Sequence, residues 1–189
     1  EYAFPKSYQN SVSLVIKSIN GDRHPKEHKT LKKLIDGDPR IIHIQKVLPH
    51  YENTALINCC DCYVSLHRSE GFGLTIAEAM LLGKPVITTG YSGNMDFTTI
   101  ETSLLVDYEL IPVPQGDYPY SKDEMWAEPD IEQAGDYMKK LVSDKDFSCS
   151  FAKKGQELIR TSFSIKSMSE IYKNRLDVIS KEKTLIQKN

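Results

Sequence analysis

Residues 64–88 read Val-Ser-Leu-His-Arg-Ser-Glu-Gly-Phe-Gly-Leu-Thr-Ile-Ala-Glu-Ala-Met-Leu-Leu-Gly-Lys-Pro-Val-Ile-Thr. An apolar strand, Tyr63 to Leu66, runs into a Gly-Phe-Gly turn. A helix from about Thr75 to Leu82 follows, and Pro85-Val86-Ile87-Thr88 opens another strand. Strand, glycine turn, helix and strand form a parallel-sheet unit, and its loop lies at the carboxyl ends of the strands, where open α/β sheets take ligands. Two carboxylates, Glu70 and Glu78, stand on either side of the turn with seven residues between them.

The residue types in the turn have a chemical use. Gly71 and Gly73 let the backbone approach a ligand with no Cβ in the way, and the N–H groups of the helix start point at whatever lies there. Phosphate suits such a site. A carboxylate accepts from two neighbouring hydroxyls at once, as a sugar or ribose diol requires. Donor-rich amides beside two acceptors therefore point to a nucleotide-sugar. Two plainer readings compete. Thr75-Ile76-Ala77-Glu78 also fits a capping box, in which Glu78 only stabilises the helix start, and Glu70 alone is a solvated loop acid. A dinucleotide fingerprint is weak, because Ile76 stands where its third small residue belongs.

Glu70-Gly71-Phe72-Gly73-Leu74, then Glu78-Ala79-Met80, then Gly83-Lys84-Pro85-Val86, resembles the donor-site signature of retaining GT-B glycosyltransferases of the family 4 type. The resemblance runs from the strand near Val12 to the last helix near Ile179, with Gly90-Tyr91-Ser92-Gly93-Asn94-Met95-Asp96-Phe97 as the loop and short helix after the next strand. It implies a Rossmann-like parallel sheet with helices on both faces, the carboxy-terminal half of a GT-B fold. It also implies that Glu78 binds the nucleotide ribose, that Glu70 and the amides of Phe72, Gly73 and Leu74 hold the donor sugar and phosphates, and that no metal is required. Gly71 belongs to the same cradle, and Glu70 is catalytic in the loose sense of positioning the donor.

On this reading the substrate is a nucleoside-diphosphate sugar and there is no separate cofactor. A hexose passes to an acceptor hydroxyl with retention at the anomeric carbon, in the synthesis of cell-surface polysaccharide, lipopolysaccharide or glycolipid. The rival is a non-catalytic nucleotide-sugar-binding or interaction module. The family's basic diphosphate-binding loop follows a first strand that has no counterpart here, and Glu1 to Lys6 resemble the tail of the helix after that loop. First strand, basic loop and the amino-terminal acceptor domain are thus expected outside this chain. That domain is the expected partner, and any peripheral membrane contact is assigned to it.

The 189 residues suffice for one well-buried domain, expected over residues 1–181, with a polar tail at 182–189. A net charge of −2 gives no reason to expect nucleic acid. The chain has no apolar run long enough for a membrane span, and its start lacks the features of a signal peptide. Cys59, Cys60, Cys62 and Cys149 fit neither a zinc half-site nor a redox pair, so they read as reduced, cytoplasmic, structural fillers.

Outward from the centre, Ser11 to Lys17 and Arg40 to Gln45 read as strands, Pro25 to Ile35 as a helix with Leu31, Leu34 and Ile35 on one face, and Tyr51 to Asn58 as a short helix. Ile44 to Val47 end the second strand, where a nucleobase would lie on apolar side chains, which makes Ile44 a site candidate. His67 and Arg68, beside Glu70, are candidates for the donor phosphates, with packing as the alternative. Lys17 reads mainly as a solvated strand-end lysine, and Lys84 as a cap on the carboxyl end of its helix. Residues 107–128, rich in Pro, Tyr and Trp, are too long for an ordinary connection and read as an ordered loop on the sheet edge. Helices are expected near 130–142, 146–161 and 164–180.

Overall fold

A computed structural model of the chain describes residues 2–5, 7, 12–118 and 122–186, with side chains to residue 181 in the last helix. The chain divides into two compact units, residues 1–56 and 57–189. Both are built on parallel strands flanked by helices, the Rossmann-like arrangement that the alternation of strand and helix signals predicts.

In the first unit β1 (Leu14–Ser18) and β2 (Ile41–Gln45) pair in parallel, Leu14 opposite Ile41 and Ser18 opposite Gln45, with α1 (Pro25–Ile35) as the crossover. Pro25 sits in the first turn of α1, where its missing N–H costs nothing. The expected apolar face is only partly covered: Leu31 and Ile35 are half-buried, but Leu34 is 74% exposed. Lys17 is half-buried opposite Ile44 in the ladder rather than fully solvated. Ser11, the expected start of the first strand, lies outside the described residues. Residues 2–5 do not form the helix tail expected of them; they run as bends, and the carbonyls of Phe4 and Pro5 accept hydrogen bonds from Arg40 at 2.8 and 3.2 Å.

α2 (His50–Cys59) leads to the second unit, in which β3 (Tyr63–Ser65), β4 (Val86–Thr89) and β5 (Leu104–Val106) form a parallel sheet in the order β3-β4-β5. β4 is buried along its whole length, as a central strand covered on both faces must be. Its alternate side chains divide two cores. Val86 packs with Ile57, Ile76, Ala79, Met80, Phe97 and Ile159, on the side of α3 (Leu74–Leu81) and α5 (Lys145–Ser162). Ile87 packs with Leu104, Val106, Ala134 and Leu141, on the side of α4 (Ile131–Ser143). Asp130 and Asp144 cap α4 and α5 by accepting from the Gln133 and Phe147 amides, each at 2.9 Å.

Residues 107–128, expected as an ordered loop, contribute to two strands. Tyr108–Pro112 (β6) and Met125–Pro129 (β7) pair antiparallel, Leu110 opposite Ala127 and Ile111 opposite Trp126. The final helix, α6 (Ile165–Ile186), continues past the residue where the polar tail was expected to begin. Lys84 caps a helix, though not its own: Nζ donates to the Asn58 carbonyl at the end of α2, at 2.7 Å.

Cys62 packs into the α4-side core, and burial pushes its thiol up to about 12; burial also raises Cys60. Cys59 and Cys149, expected as fillers, are exposed. No helix among the described residues is long and apolar enough to cross a membrane.

Candidate functional site

The site begins where β3 ends. The chain leaves Ser65, passes His67 and Arg68, and enters the turn at Glu70. Gly73 is the N-cap of α3 with φ 90° and ψ 45°, a left-handed conformation that favours glycine. A Cβ there would also press on Ile76, Asn94 and Phe97 at 3.1–3.3 Å. Glycine has no side chain with which to cap, so no side-chain hydrogen bond satisfies the start of α3. The amides of its first turn are left for something else.

This start excludes the capping box. With Gly73 as N-cap, Thr75 is the second helical residue and Glu78 the fifth, two positions past the third, from which a capping-box acid reaches back to the cap. Burial raises the Tyr63 phenol above its ordinary value, a hydrogen bond with Thr75 opposes this, and the charges of Glu70 and Glu78 add to it. Tyr63, the first residue of β3, thus lies in the field of both carboxylates.

The turn is pinned from two sides. Phe72 is 38% exposed and rests its ring on Phe97 at 5.1 Å between centroids, while Leu74 projects further into solvent. The Gly71 amide donates to Glu70 Oε1 at 3.1 Å, which orients that carboxylate. On the other side lies the loop after β4. The Glu70 amide donates to Ser92 Oγ at 2.8 Å, and the Gly93 amide donates to the Glu70 carbonyl at 3.0 Å. A Cβ on Gly93 would lie 1.9 Å from the Gly71 carbonyl oxygen, so only glycine permits this crossing.

Both ring nitrogens of His67 face protein groups. Nε2 lies 3.0 Å from the Tyr91 carbonyl and 3.1 Å from Asn94 Oδ1, and Nδ1 lies 3.1 Å from Ser65 Oγ. A carbonyl only accepts, so Nε2 carries the proton, and in the neutral ring Nδ1 accepts from Ser65. Arg68 turns away to β7: it pairs with Glu128 at 2.7 Å and lies over the Trp126 ring at 4.8 Å. Ile44 lies in the first unit, half-buried near the end of β2. Within the second unit, then, Glu70, Gly71, Phe72, Gly73, Leu74 and Glu78 meet around one helix start, with His67 behind them.

Among the described residues no group of three or more His, Cys, Asp or Glu could hold a metal ion. Two Asp-x-Asp spacings occur, and both serve local structure. Asp38 takes a bidentate hydrogen bond from Arg40 at 2.9 and 2.6 Å, and Asp144 caps α5 and pairs with Lys140 at 2.8 Å.

A parallel sheet flanked by helices, with a glycine turn and an open helix start at its carboxyl edge, is the Rossmann-like arrangement of one half of a GT-B fold. The family profile of glycosyl transferases group 1 matches residues 3–111, more than half of the chain, and the chain belongs to that family. Among solved structures, the chain is similar to a glycosyltransferase from Rickettsia africae (TM-score 0.66, 20% identity, 93% of this chain and 43% of that one). It is also similar to Anabaena HepE in complex with UDP-glucose (TM-score 0.65, 16% identity, 89% and 42%). A third is the C-terminal domain of LpcC, a group 1 glycosyl transferase from Francisella tularensis (TM-score 0.55, 25% identity, 77% and 65%). The chain spans about two fifths of HepE and of the Rickettsia enzyme. No match was found among curated proteins.

Proposed function

We propose that this chain supplies the donor site of a retaining glycosyltransferase, which transfers a hexose from a nucleoside diphosphate to an acceptor hydroxyl. The observation that carries this reading is the start of α3, which no side chain caps, with Glu70 in the turn before it and Glu78 within the helix. The amides of Phe72, Gly73 and Leu74 face the diphosphate, where charge develops as the sugar leaves. Glu78 accepts from the ribose hydroxyls and Glu70 from the donor sugar. HepE, which shares the fold, binds UDP-glucose, and that supports a sugar nucleotide as the ligand. Retention at the anomeric carbon and an acceptor in cell-surface polysaccharide, lipopolysaccharide or glycolipid rest on the donor-site signature. Residues 1–181 act as one donor-binding half, completed by an amino-terminal acceptor domain.

The test is a thermal-shift screen of this chain against UDP-, GDP- and ADP-sugars. A ligand specific to the folded state stabilises it by about 2.7 kcal/mol at 100 times its dissociation constant. One base should raise the melting temperature well above the others. No shift with any of them at millimolar concentration, in a protein that includes the basic diphosphate-binding loop, refutes the reading.

A further inference from the structure

Ser92 is held in a backbone conformation that serine avoids. Its φ of 70° and ψ of −148° lie in the region that is essentially glycine's alone. Among the described residues the other non-glycines with positive φ, Asn20 and Asp123, are of the types that tolerate it best. Glycines already stand at positions 90 and 93 of this loop, and a glycine at 92 would remove the strain. What glycine lacks is the hydroxyl, and the Ser92 Oγ accepts from the Glu70 amide at 2.8 Å.

The surrounding contacts make this hydroxyl a reference point for Glu70. Ser92 and Gly93 together hold both backbone polar groups of Glu70, the amide through Oγ and the carbonyl through the Gly93 amide at 3.0 Å. The loop is fixed from behind by Asn94, which is fully buried. Its Nδ2 donates to the Thr89 carbonyl at 3.0 Å and to Thr98 Oγ1 at 3.1 Å, and its Oδ1 faces His67 Nε2 at 3.1 Å. His67 also holds the Tyr91 carbonyl at 3.0 Å, one residue before the strained serine. Surroundings that over-determine a strained residue are what keep it strained.

We propose that Ser92 is a positioning residue for Glu70: its hydroxyl fixes the Glu70 peptide, and through it the direction in which the Glu70 carboxylate meets the hydroxyls of the donor sugar. His67 and Asn94 keep the serine in place and do not touch the ligand. The inference rests on the proposed donor site, and it assigns the strain at Ser92 to recognition of the sugar rather than of the nucleotide.

The experiment separates stability from recognition in opposite directions. Ser92→Gly relieves the strain and removes the acceptor; Ser92→Thr keeps the acceptor and adds strain; Ser92→Ala removes the acceptor and keeps the strain. Melting temperature, and the dissociation constants of UDP-, GDP- and ADP-glucose and of each parent diphosphate, are measured by calorimetry for the wild-type chain and each variant. Ser92→Gly melts above Ser92→Ala, and Ser92→Thr melts below wild type. The affinity ratio of sugar nucleotide to nucleoside diphosphate falls about ten-fold in the Gly and Ala variants, the worth of one mis-set charged hydrogen bond. In Ser92→Thr the ratio stays at the wild-type value, and diphosphate affinity is unchanged in all three. A ratio that follows melting temperature, so that Ser92→Gly discriminates like wild type, overturns the inference and leaves the donor site standing. A wild-type protein that includes the basic diphosphate-binding loop and binds none of the six compounds overturns both.

Discussion

At the level of single residues, Glu78 is separable from the helix it stands on. Because Gly73 is the N-cap, Glu78 does not close a capping box, and Gln at this position keeps the length of the side chain while removing the charge that assists acceptance from a diol. Glu78→Gln is expected to weaken binding of the sugar nucleotide by about 1 to 3 kcal/mol and to change folding stability by less, as titration calorimetry and urea denaturation would show. Lost stability with intact binding would remove Glu78 from the site. Two glycines offer a sharper contrast. A Cβ on Gly71 meets nothing within 4 Å, whereas a Cβ on Gly93 meets the Gly71 carbonyl oxygen at 1.9 Å. Gly71→Ala should therefore fold with a stability change of about 0.5 kcal/mol or less and lose donor affinity. Gly93→Ala should cost about 1 to 3 kcal/mol, because backbone must move out of the way. Equal melting temperatures for the two variants would refute the crossing of the loops. The acids and glycines of residues 70–78 were legible in the sequence because their chemistry is local, set by neighbours within one turn and one helix. Ser92 and Gly93 were not, because their partner lies 22 residues away for the Ser92–Glu70 bond and is reached only once β3 and β4 have paired. His67 was noticed for its place beside Glu70, but that both its ring nitrogens are engaged is a fact of tertiary structure.

At the level of elements, the sequence was readable where periodicity and punctuation agreed. α1 runs over its expected residues because Pro25 starts it and the Asp36-Gly37-Asp38-Pro39 turn stops it. The β6–β7 hairpin was hidden by its prolines, which argue against a strand interior. The structure puts Pro112 and Pro129 at strand ends, so the ladder loses little by their missing N–H groups. β5 spans only three residues, Leu104–Val106, too few for a pattern. The hairpin is tied to the turn through Arg68, whose carbonyl accepts from the Ala127 amide at 2.9 Å and whose guanidinium pairs with Glu128 over Trp126. Both members of that ion pair are exposed, so Arg68→Ala should cost only about 1 kcal/mol in urea denaturation, more through the Trp126 contact than through the charge. A buried thiol at the head of β3 sets the alkaline limit. Cys62 in the folded state holds its proton to about pH 12, whereas an ordinary thiol releases it near 9.0. The unfolded state therefore binds fewer protons as the pH rises between these values, and stability falls, by up to about 1.4 kcal/mol per pH unit. Urea midpoints at about pH 8 and about pH 11 should show a drop that Cys62→Ala reduces. Iodoacetamide at mild pH should label the exposed Cys59 and Cys149 and spare Cys62.

For the molecule as a whole, the decisive quantity is the share of a catalyst that the chain contains. It spans about two fifths of HepE and of the Rickettsia enzyme, and its candidate site is a cradle at the edge of one sheet. Such a cradle can bind a donor and stabilise a leaving diphosphate, but transfer also requires that an acceptor hydroxyl be held against the anomeric carbon. Orientation of two reactants is worth about 7 to 11 kcal/mol in favourable intramolecular systems, and a donor site alone supplies only its own side of that geometry. The chain by itself is therefore expected to bind the sugar nucleotide and not to glycosylate an added acceptor, while the protein with its acceptor-binding half does so. On the proposed reading the diphosphate charge falls to helix-start amides, and one Asp of each Asp-x-Asp pair is engaged, Asp38 with Arg40 and Asp144 as a helix cap, so transfer should survive chelation of divalent metal. Product formation measured for the complete protein and for this chain, each with and without excess EDTA, checks both claims. Turnover by the chain alone would refute the need for a second domain, and loss of the complete protein's activity in EDTA would return the diphosphate to a metal ion.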